Sequence, residues 1–310
     1  MATLTIPPVL TTPRDDAMQL YRAFKGMGCD TAAVVNILAH RDATQRSLIE
    51  QEYRTMYSTE LSKRLASELS GDVKKAVLLW MPDPATRDAT IIRQALTGDV
   101  IDLKLLLKYF RPHPKYNLLN KYTLLGFMLS LSMILNTRHL LLLACISSMR
   151  YEGPEVDRAM AEHDAKSLYK AGEKRLGTDE KTFIHIFSER SRAHLAAVAS
   201  AYHSMYGKSL KKAIKSETSG NFEFALLTIL QCAENPGKFF AKVLHKAMKG
   251  MGTDDTTLIR VIVTRAEIDM QYIKAEYHTK HGKSLNDTVR KETSGHYRTF
   301  LLSLLGGTHH

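Results

Sequence analysis

Apolar residues recur at helical spacing in segment after segment of this chain. "TDDTTLIRVIVTR", from Thr253, and "TDEKTFIHIFSER", from Thr178, each open on a threonine expected to cap a helix. Acids follow in the first turn, then apolar residues three or four apart. "AHLAAVASAYHSMYG" is a second amphipathic run, ending at Gly207. "SLKKAIKSETSG" is a third, with Gly220 expected as its stop. No segment alternates apolar and polar residues at the strand period. The pattern predicts an all-α protein built from short helices, about five to a repeat.

The helical pattern repeats. "YRTMYSTELSKRLASELSG" from Tyr53, "YHSMYGKSLKKAIKSETSG" from Tyr202 and "YHTKHGKSLNDTVRKETSG" from Tyr277 overlay directly, with starts 149 and 75 residues apart. Gly28 in "GMGCD", Gly177 in "RLGTD" and Gly252 in "GMGTD" keep the same steps. A period near 75 with one copy skipped means four repeats. The expected layout is a tail at 1–13, then repeats at 14–85, 86–157, 158–240 and 241–310.

Within the repeats, one pair of motifs carries chemistry. Gly26 and Gly28 sit between helices, and Glu68 follows Gly28 by 40 residues. Gly250, Gly252 and Glu292 reproduce that spacing. A Gly-x-Gly turn can aim successive carbonyl oxygens at one point, because glycine tolerates the backbone angles required. A carboxylate from a second loop adds two oxygens. Three carbonyls and a bidentate Glu supply about five of the six to eight oxygens that Ca²⁺ takes. Water or an external anion must supply the rest, so such a site binds weakly alone and more tightly with a lipid phosphate. The alternative reading of Gly-x-Gly before Thr-Asp, a plain helix-start turn, does not account for a Glu at the same distance in two copies. Gly177 and Glu217 keep the spacing in a third copy, but Arg175 replaces the first glycine.

With "GMGTDD", "KETSG" and "MRYEGPEVDRAMAEHDAKSLYKAGEKRLGTDE", the chain resembles the annexin family, and its plant-type members in particular, over repeats one, three and four. The resemblance implies a curved disc of four five-helix repeats. It also implies reversible, Ca²⁺-dependent binding of acidic phospholipid on the convex face, by a cytoplasmic, non-enzymatic protein. Carried over residue by residue, the metal ligands are the carbonyls of Phe24, Gly26 and Gly28 with Glu68. In repeat four they are those of Met248, Gly250 and Gly252 with Glu292. Met27 and Met251 fall at loop tips, where the family touches the bilayer. Cys29 departs from the family's threonine, which is expected to weaken a helix cap. Arg175 is expected to silence repeat three.

Repeat two departs from everything else. It starts as "PDPATRDATIIRQALTGDVIDLK" and ends from "MRYEGPEVD", but "YTLLGFMLSLSMIL" from Tyr122 and "LLLLACI" interrupt the pattern. No acid occurs from Leu103 through Tyr151, although the length suits one repeat. A translation frame that slips by one base and is later restored changes every residue and keeps the length. Taking the third base of each codon with the first two of the next, "MILNTRHL" reads Asp-Ile-Glu-Tyr-Gln-Ala-Ser. The shifted frame also permits Tyr and Ser 17 apart at slots 122 and 139, the spacing of Tyr53 to Ser70. Residues 105–140 therefore read as an out-of-frame translation of repeat two, expected to be disrupted and aggregation-prone, with Pro112 and Pro114 where helices belong.

Composition adjusts this picture only a little. The 310 residues are 44% hydrophobic and 24% charged, with a formal charge of +11. That balance fits anionic partners. Five of the basic residues, Lys108, Arg111, Lys115, Lys121 and Arg138, lie in the aberrant stretch, which weakens the argument. No nucleic-acid motif is present, and nucleic acid is not an expected partner. Cys29, Cys145 and Cys232 are too few for a disulfide framework; Cys232 reads as a buried small hydrophobe. No apolar stretch follows a charged N-terminal segment, so no secretory signal is expected.

Rival readings rest on single features. A peroxidase-like enzyme rests on His40 alone. A membrane-integral or channel protein rests on residues 122–146, whose 14-residue run from Tyr122 to Leu135 is short of the ~20 a span needs. F-actin is a further candidate partner, although "IRV" at Ile259–Val261 departs from the tripeptide linked to actin and reads as core. Oligomerisation on membranes is open.

Overall fold

A computed structural model describes residues 1–9, 11–26, 28–96, 141, 144–145 and 153–307. Among these residues every regular element is an α-helix. They form two compact units, one combining Met1–Arg87 with Gly237–His310 and the other spanning Asp88–Pro236. The stretch 105–140 and the loop-tip residue Met27 lie outside the described residues, and with them the expected disruption of repeat two.

The first unit contains two sets of five helices. One is α1 (Pro13–Ala23), α2 (Thr31–Leu38), α3 (Ala43–Tyr57), α4 (Leu61–Glu68) and α5 (Gly71–Trp80); α6 (Pro84–Leu96) follows it. In the second unit a further set runs α7 (Arg158–Ala171), α8 (Glu180–Glu189), α9 (Arg192–Tyr206), α10 (Leu210–Glu217) and α11 (Gly220–Glu234). The first unit's other set is α12 (Pro236–Ala247), α13 (Asp255–Arg265), α14 (Met270–His281), α15 (Leu285–Glu292) and α16 (Gly295–Leu305).

Local chemistry sets the boundaries. Thr12 caps α1 through the amide of Asp15, with Pro13 in the first turn, where its missing N–H costs nothing. Asp42 and Gln45 form a reciprocal capping box on α3. The third helix of each set ends in a left-handed residue, and Gly207 and Gly282 take it freely. Ser58 adopts it with φ 52°, the one described non-glycine residue at positive φ. Contrary to the expectation from sequence, Gly220 does not stop the preceding helix. That helix ends at Glu217, Ser219 is the next N-cap, and Gly220 opens α11 with φ 62°. Gly71 and Gly295 do the same at α5 and α16.

In the first unit the two sets share a core. The α13 and α16 helices pack on α5, and α16 also packs on α2. Leu38, Trp80, Leu258, Ile262, Phe300 and Leu304 are fully buried there. Burying each such side chain contributes about 1.5–3 kcal/mol. Two arginines stand inside this apolar mass. Arg46, completely buried, stacks 3.7 Å over the Trp80 ring and reaches both Glu267 carboxylate oxygens at 3.4 Å. Arg87, 2% exposed, donates to the carbonyls of Leu79, Trp80, Pro82 and Val263 and lies 3.6 Å from Glu267. Burial pulls Arg46 down to about 10, against the opposing charge of Glu267.

In the second unit α7 packs on α9, and α9 on α11. Asp164 of α7 binds Arg190 at 2.6 Å and His194 at 3.0 Å. Asp16 and Arg41 make the same tie at 2.6 Å in the first set. In the last set the acid's place is taken by Phe240. Its ring lies 4.5 Å beneath Arg265, and the arginine turns instead to Asp269.

Among the described residues no helix is long and apolar enough to cross a membrane. Cys145 is buried, whereas Cys29 and Cys232 are half-buried, so the expectation of a buried Cys232 is corrected.

Candidate loop sites between first and second helices

The loop between the first and second helix closes in the same way in all three sets. The amide of Asp30 donates to Ala23 at 2.9 Å, that of Asp254 to Ala247 at 2.8 Å and that of Asp179 to Ala171 at 2.8 Å. Beside each loop, the first helix stacks a ring on the end of the third. The pairs are Tyr21 on Tyr57 at 3.9 Å, Tyr169 on Tyr206 at 4.0 Å and His245 on His281 at 3.8 Å. The stack fixes where the loop leaves the helix and where the following α4-type helix starts. The glutamates Glu68, Glu217 and Glu292 each end that fourth helix.

The two Gly-x-Gly loops are alike at the second glycine and differ at the first, where Gly250 but not Gly26 has a positive φ. Gly28 has φ 97° and Gly252 φ 96°, angles that suit glycine, and Gly250 has φ 130°. Phe24 and Met248 are buried, while Gly26, Gly28, Gly250 and Gly252 face solvent. Glu68 and Glu292 are half-buried.

Each glutamate returns to its loop, by different means. Arg64 Nη2 donates to the carbonyl of Phe24 at 3.3 Å and lies 3.0 Å from the Glu68 carboxylate. One positive nitrogen thus bridges two of the oxygens assigned as ligands in loop one, which is where a small cation would sit. In loop four the Thr253 hydroxyl lies 3.5 Å from the Glu292 carboxylate. Among the described residues no three His, Cys, Asp or Glu side chains gather to hold a metal. Ca²⁺ is a metal that accepts carbonyl, carboxylate and water oxygen. The donor set of each loop fits it: backbone carbonyls on a glycine turn and one carboxylate.

Loop three differs more deeply than a missing glycine. From Ala171 to Asp179 it is one residue longer than from Ala23 to Asp30 or from Ala247 to Asp254. The extra residue accounts for the buried Gly172. A Cβ there would stand 2.8 Å from Cγ of Glu217, so that side chain lies against it. Thr178 donates to the backbone carbonyl of Glu217 at 2.5 Å, and Ser216 to its carboxylate at 3.1 Å.

The threonines do not cap the second helices. Asp30 and Asp254 do, accepting from Ala33 and Thr257 at 3.0 Å each. Thr178 and Thr253 instead point to the glutamate loop. Cys29 therefore leaves its cap intact and removes the hydroxyl that would reach toward Glu68. Burial, and next to it the charge of Glu68, push the Cys29 thiol up.

Loop tips carry exposed apolar side chains. Met251 is fully exposed, as expected, and so is Leu176 of loop three, which sequence analysis passed over. Its signal was its place, one residue before Gly177, matching Met251 before Gly252. The other residues singled out are engaged elsewhere. His40, in the turn after α2, has its Nδ1 2.8 Å from the Asn36 carbonyl of that helix, and Ile259 and Val261 are core.

Comparison with known proteins gives the family. The Annexin family model matches residues 15–80, 163–229 and 239–304. Annexin D5 of Arabidopsis thaliana is 52% identical, covering 99% of both chains. The structure of annexin III superposes with a TM-score of 0.91 at 33% identity, covering 99% of this chain and 97% of that one. Calcium-bound annexin (Sm)1 superposes with a TM-score of 0.83 at 29% identity, covering 100% and 94%. By its helical repeats, its loops and these likenesses, the chain belongs to the annexin family.

Proposed function

We propose that this protein binds Ca²⁺ and, through it, docks reversibly on acidic phospholipid membranes. The ligands in loop one are the carbonyls of Phe24, Gly26 and Gly28 with the Glu68 carboxylate. In loop four they are the carbonyls of Met248, Gly250 and Gly252 with that of Glu292. The observation that carries this reading is the return of a helix-terminal glutamate to a glycine turn of the same closure in both loops. Each set leaves one to three positions of the metal for water or a lipid phosphate oxygen. Met251 at its tip would enter the headgroup region. The calcium-bound state of annexin (Sm)1 supports the choice of metal.

Four repeats at 14–85, 86–157, 158–240 and 241–310 remain the organisation we assign, with loops one and four functional and loop three without metal. The role is non-enzymatic and peripheral, with the protein cytoplasmic until Ca²⁺ rises. His40, on which a peroxidase reading would rest, is bonded to the end of the preceding helix α2. F-actin gains no support from the buried Ile259 and Val261.

The test is sedimentation with vesicles of phosphatidylserine and phosphatidylcholine. Pelleting with Ca²⁺, release by chelator and no pelleting with phosphatidylcholine alone are expected. Equal pelleting in chelator would overturn the proposal.

A further inference from the structure

Arg64 occupies an unusual place, and its chemistry decides how loop one responds to a cation. Its Nη2 stands 3.3 Å from the Phe24 carbonyl and 3.0 Å from the Glu68 carboxylate. Its guanidinium carbon lies 5.9 Å from the Phe24 ring centroid. The side chain is 42% exposed, so it is held by these oxygens rather than by burial. Eleven residues after the landmark tyrosine, the same position is Ala213 in repeat three and Thr288 in repeat four. The Thr288 hydroxyl bonds the Ser284 carbonyl of its own helix at 3.0 Å and carries no charge. Loop four therefore has no resident cation at this position, while loop one does.

We propose that Arg64 is a built-in competitor for the cation of loop one, making loop four the tighter Ca²⁺ site and loop one the site filled at higher Ca²⁺. The inference rests on the reading of loop one as a Ca²⁺ site. To bind there, the metal must displace the guanidinium from both the carbonyl and the carboxylate. It must then tolerate a positive charge still tethered by one helical turn to Glu68. An exposed pair four residues apart on a helix is worth about twofold in an equilibrium. Repulsion between the displaced guanidinium and a divalent ion nearby adds to this in water. Together these amount to roughly a three- to tenfold weakening. Loop one also lacks the threonine hydroxyl that loop four directs at its glutamate, Cys29 standing in its place. Both departures fall on the same loop and in the same direction.

The experiment is calorimetric titration of the full chain with CaCl₂ alone, in a Glu292→Gln background that leaves loop one as the site read. Arg64→Ala is expected to tighten binding about three- to tenfold, and Glu68→Gln to abolish the remaining heat. The converse variant, Thr288→Arg in a Glu68→Gln background, is expected to weaken loop four by a similar factor. A readout without Ca²⁺ accompanies these: in chelator, Arg64→Ala is expected to lose the dependence of its unfolding midpoint on NaCl that the exposed pair confers. If Arg64→Ala leaves the Ca²⁺ affinity unchanged or weakens it while Glu68→Gln still abolishes binding, the competitor role is wrong and the site stands. If Glu68→Gln has no effect in that background, loop one is not the site, and both fall.

Discussion

Replacing Glu267 by glutamine will cost this protein a large part of its stability, although the residue is none of the proposed ligands. Arg46 is completely buried and Arg87 is 2% exposed, and both pair with the carboxylate of Glu267, itself 16% exposed. That carboxylate also accepts the amide of Ala43 at the start of α3, at 3.0 Å. Glutamine keeps the amide's acceptor but removes the negative charge opposite two guanidiniums. Removing one partner of a buried pair leaves an uncompensated buried charge and costs about 3–5 kcal/mol. The partial exposure of Glu267 and the carbonyls that also hold Arg87 reduce this to about 2–4 kcal/mol. Against a domain stability of about 5–15 kcal/mol, that is a large fraction. Urea unfolding followed by circular dichroism would read it, with the thermal midpoint expected to fall on the order of 10 °C. The control is Glu60→Gln, which removes an exposed pair with Lys63, 42% and 75% exposed, and should cost under about 0.5 kcal/mol. If Glu267→Gln costs no more than Glu60→Gln, the reasoning that one carboxylate holds both arginines is refuted.

Other perturbations have equally definite outcomes. Ser58→Gly places at φ 52° the residue found at the same position in the two other sets, and should raise stability by about 1 kcal/mol in the same urea assay; no gain would show that the left-handed serine is unstrained. Burial, with nearby lysines, holds the His245 and His281 imidazoles below their ordinary value. Such a base is charged more readily in the unfolded chain. Stability is therefore complete above about pH 6.5 and falls as pH drops through that value toward the folded ones. Thermal unfolding between pH 7 and 5 should be less acid-sensitive in His245→Tyr/His281→Tyr, which installs the tyrosine stack of the other sets; equal slopes would contradict this. Sequencing the transcript across residues 104–140 is expected to reveal a one-base slip and its restoration. A transcript encoding the stretch unbroken, in frame with both flanks, would end the frame-slip reading.

Much of this was legible in the sequence because the repeats check one another. Gly28 and Gly252, each with a glutamate 40 residues on, mark loops that the structure closes identically. The lengthening of loop three was hidden because both landmarks used, Gly177 and Glu217, lie after the insertion and keep their spacing. Counting back to Ala171 would have exposed it. The threonines before Asp254 and Asp179 look like caps, since Thr and Asp both favour that role. Only the structure shows that the Asp holds the N-cap position in both, accepting from a helix amide at Asp254 though not at Asp179, and that the hydroxyl turns to the glutamate loop. Arg64 and Glu68 are visibly four apart on a helix, but a carbonyl 40 residues earlier leaves no trace in a residue pattern. Likewise, the burial of Arg46 and Arg87 rests on Trp80 and Glu267, partners that no residue pattern joins to them.

The central claim is that two glutamates at helix ends complete two loops into Ca²⁺ sites that hold the protein on an acidic bilayer. It is tested most directly by sedimenting Glu68→Gln/Glu292→Gln beside the parent chain with phosphatidylserine vesicles across a range of Ca²⁺. The account predicts that the parent pellets with Ca²⁺ and releases in chelator, while the double variant, folded by circular dichroism, stays in the supernatant throughout. A folded double variant that pellets at the same Ca²⁺ as the parent would contradict it.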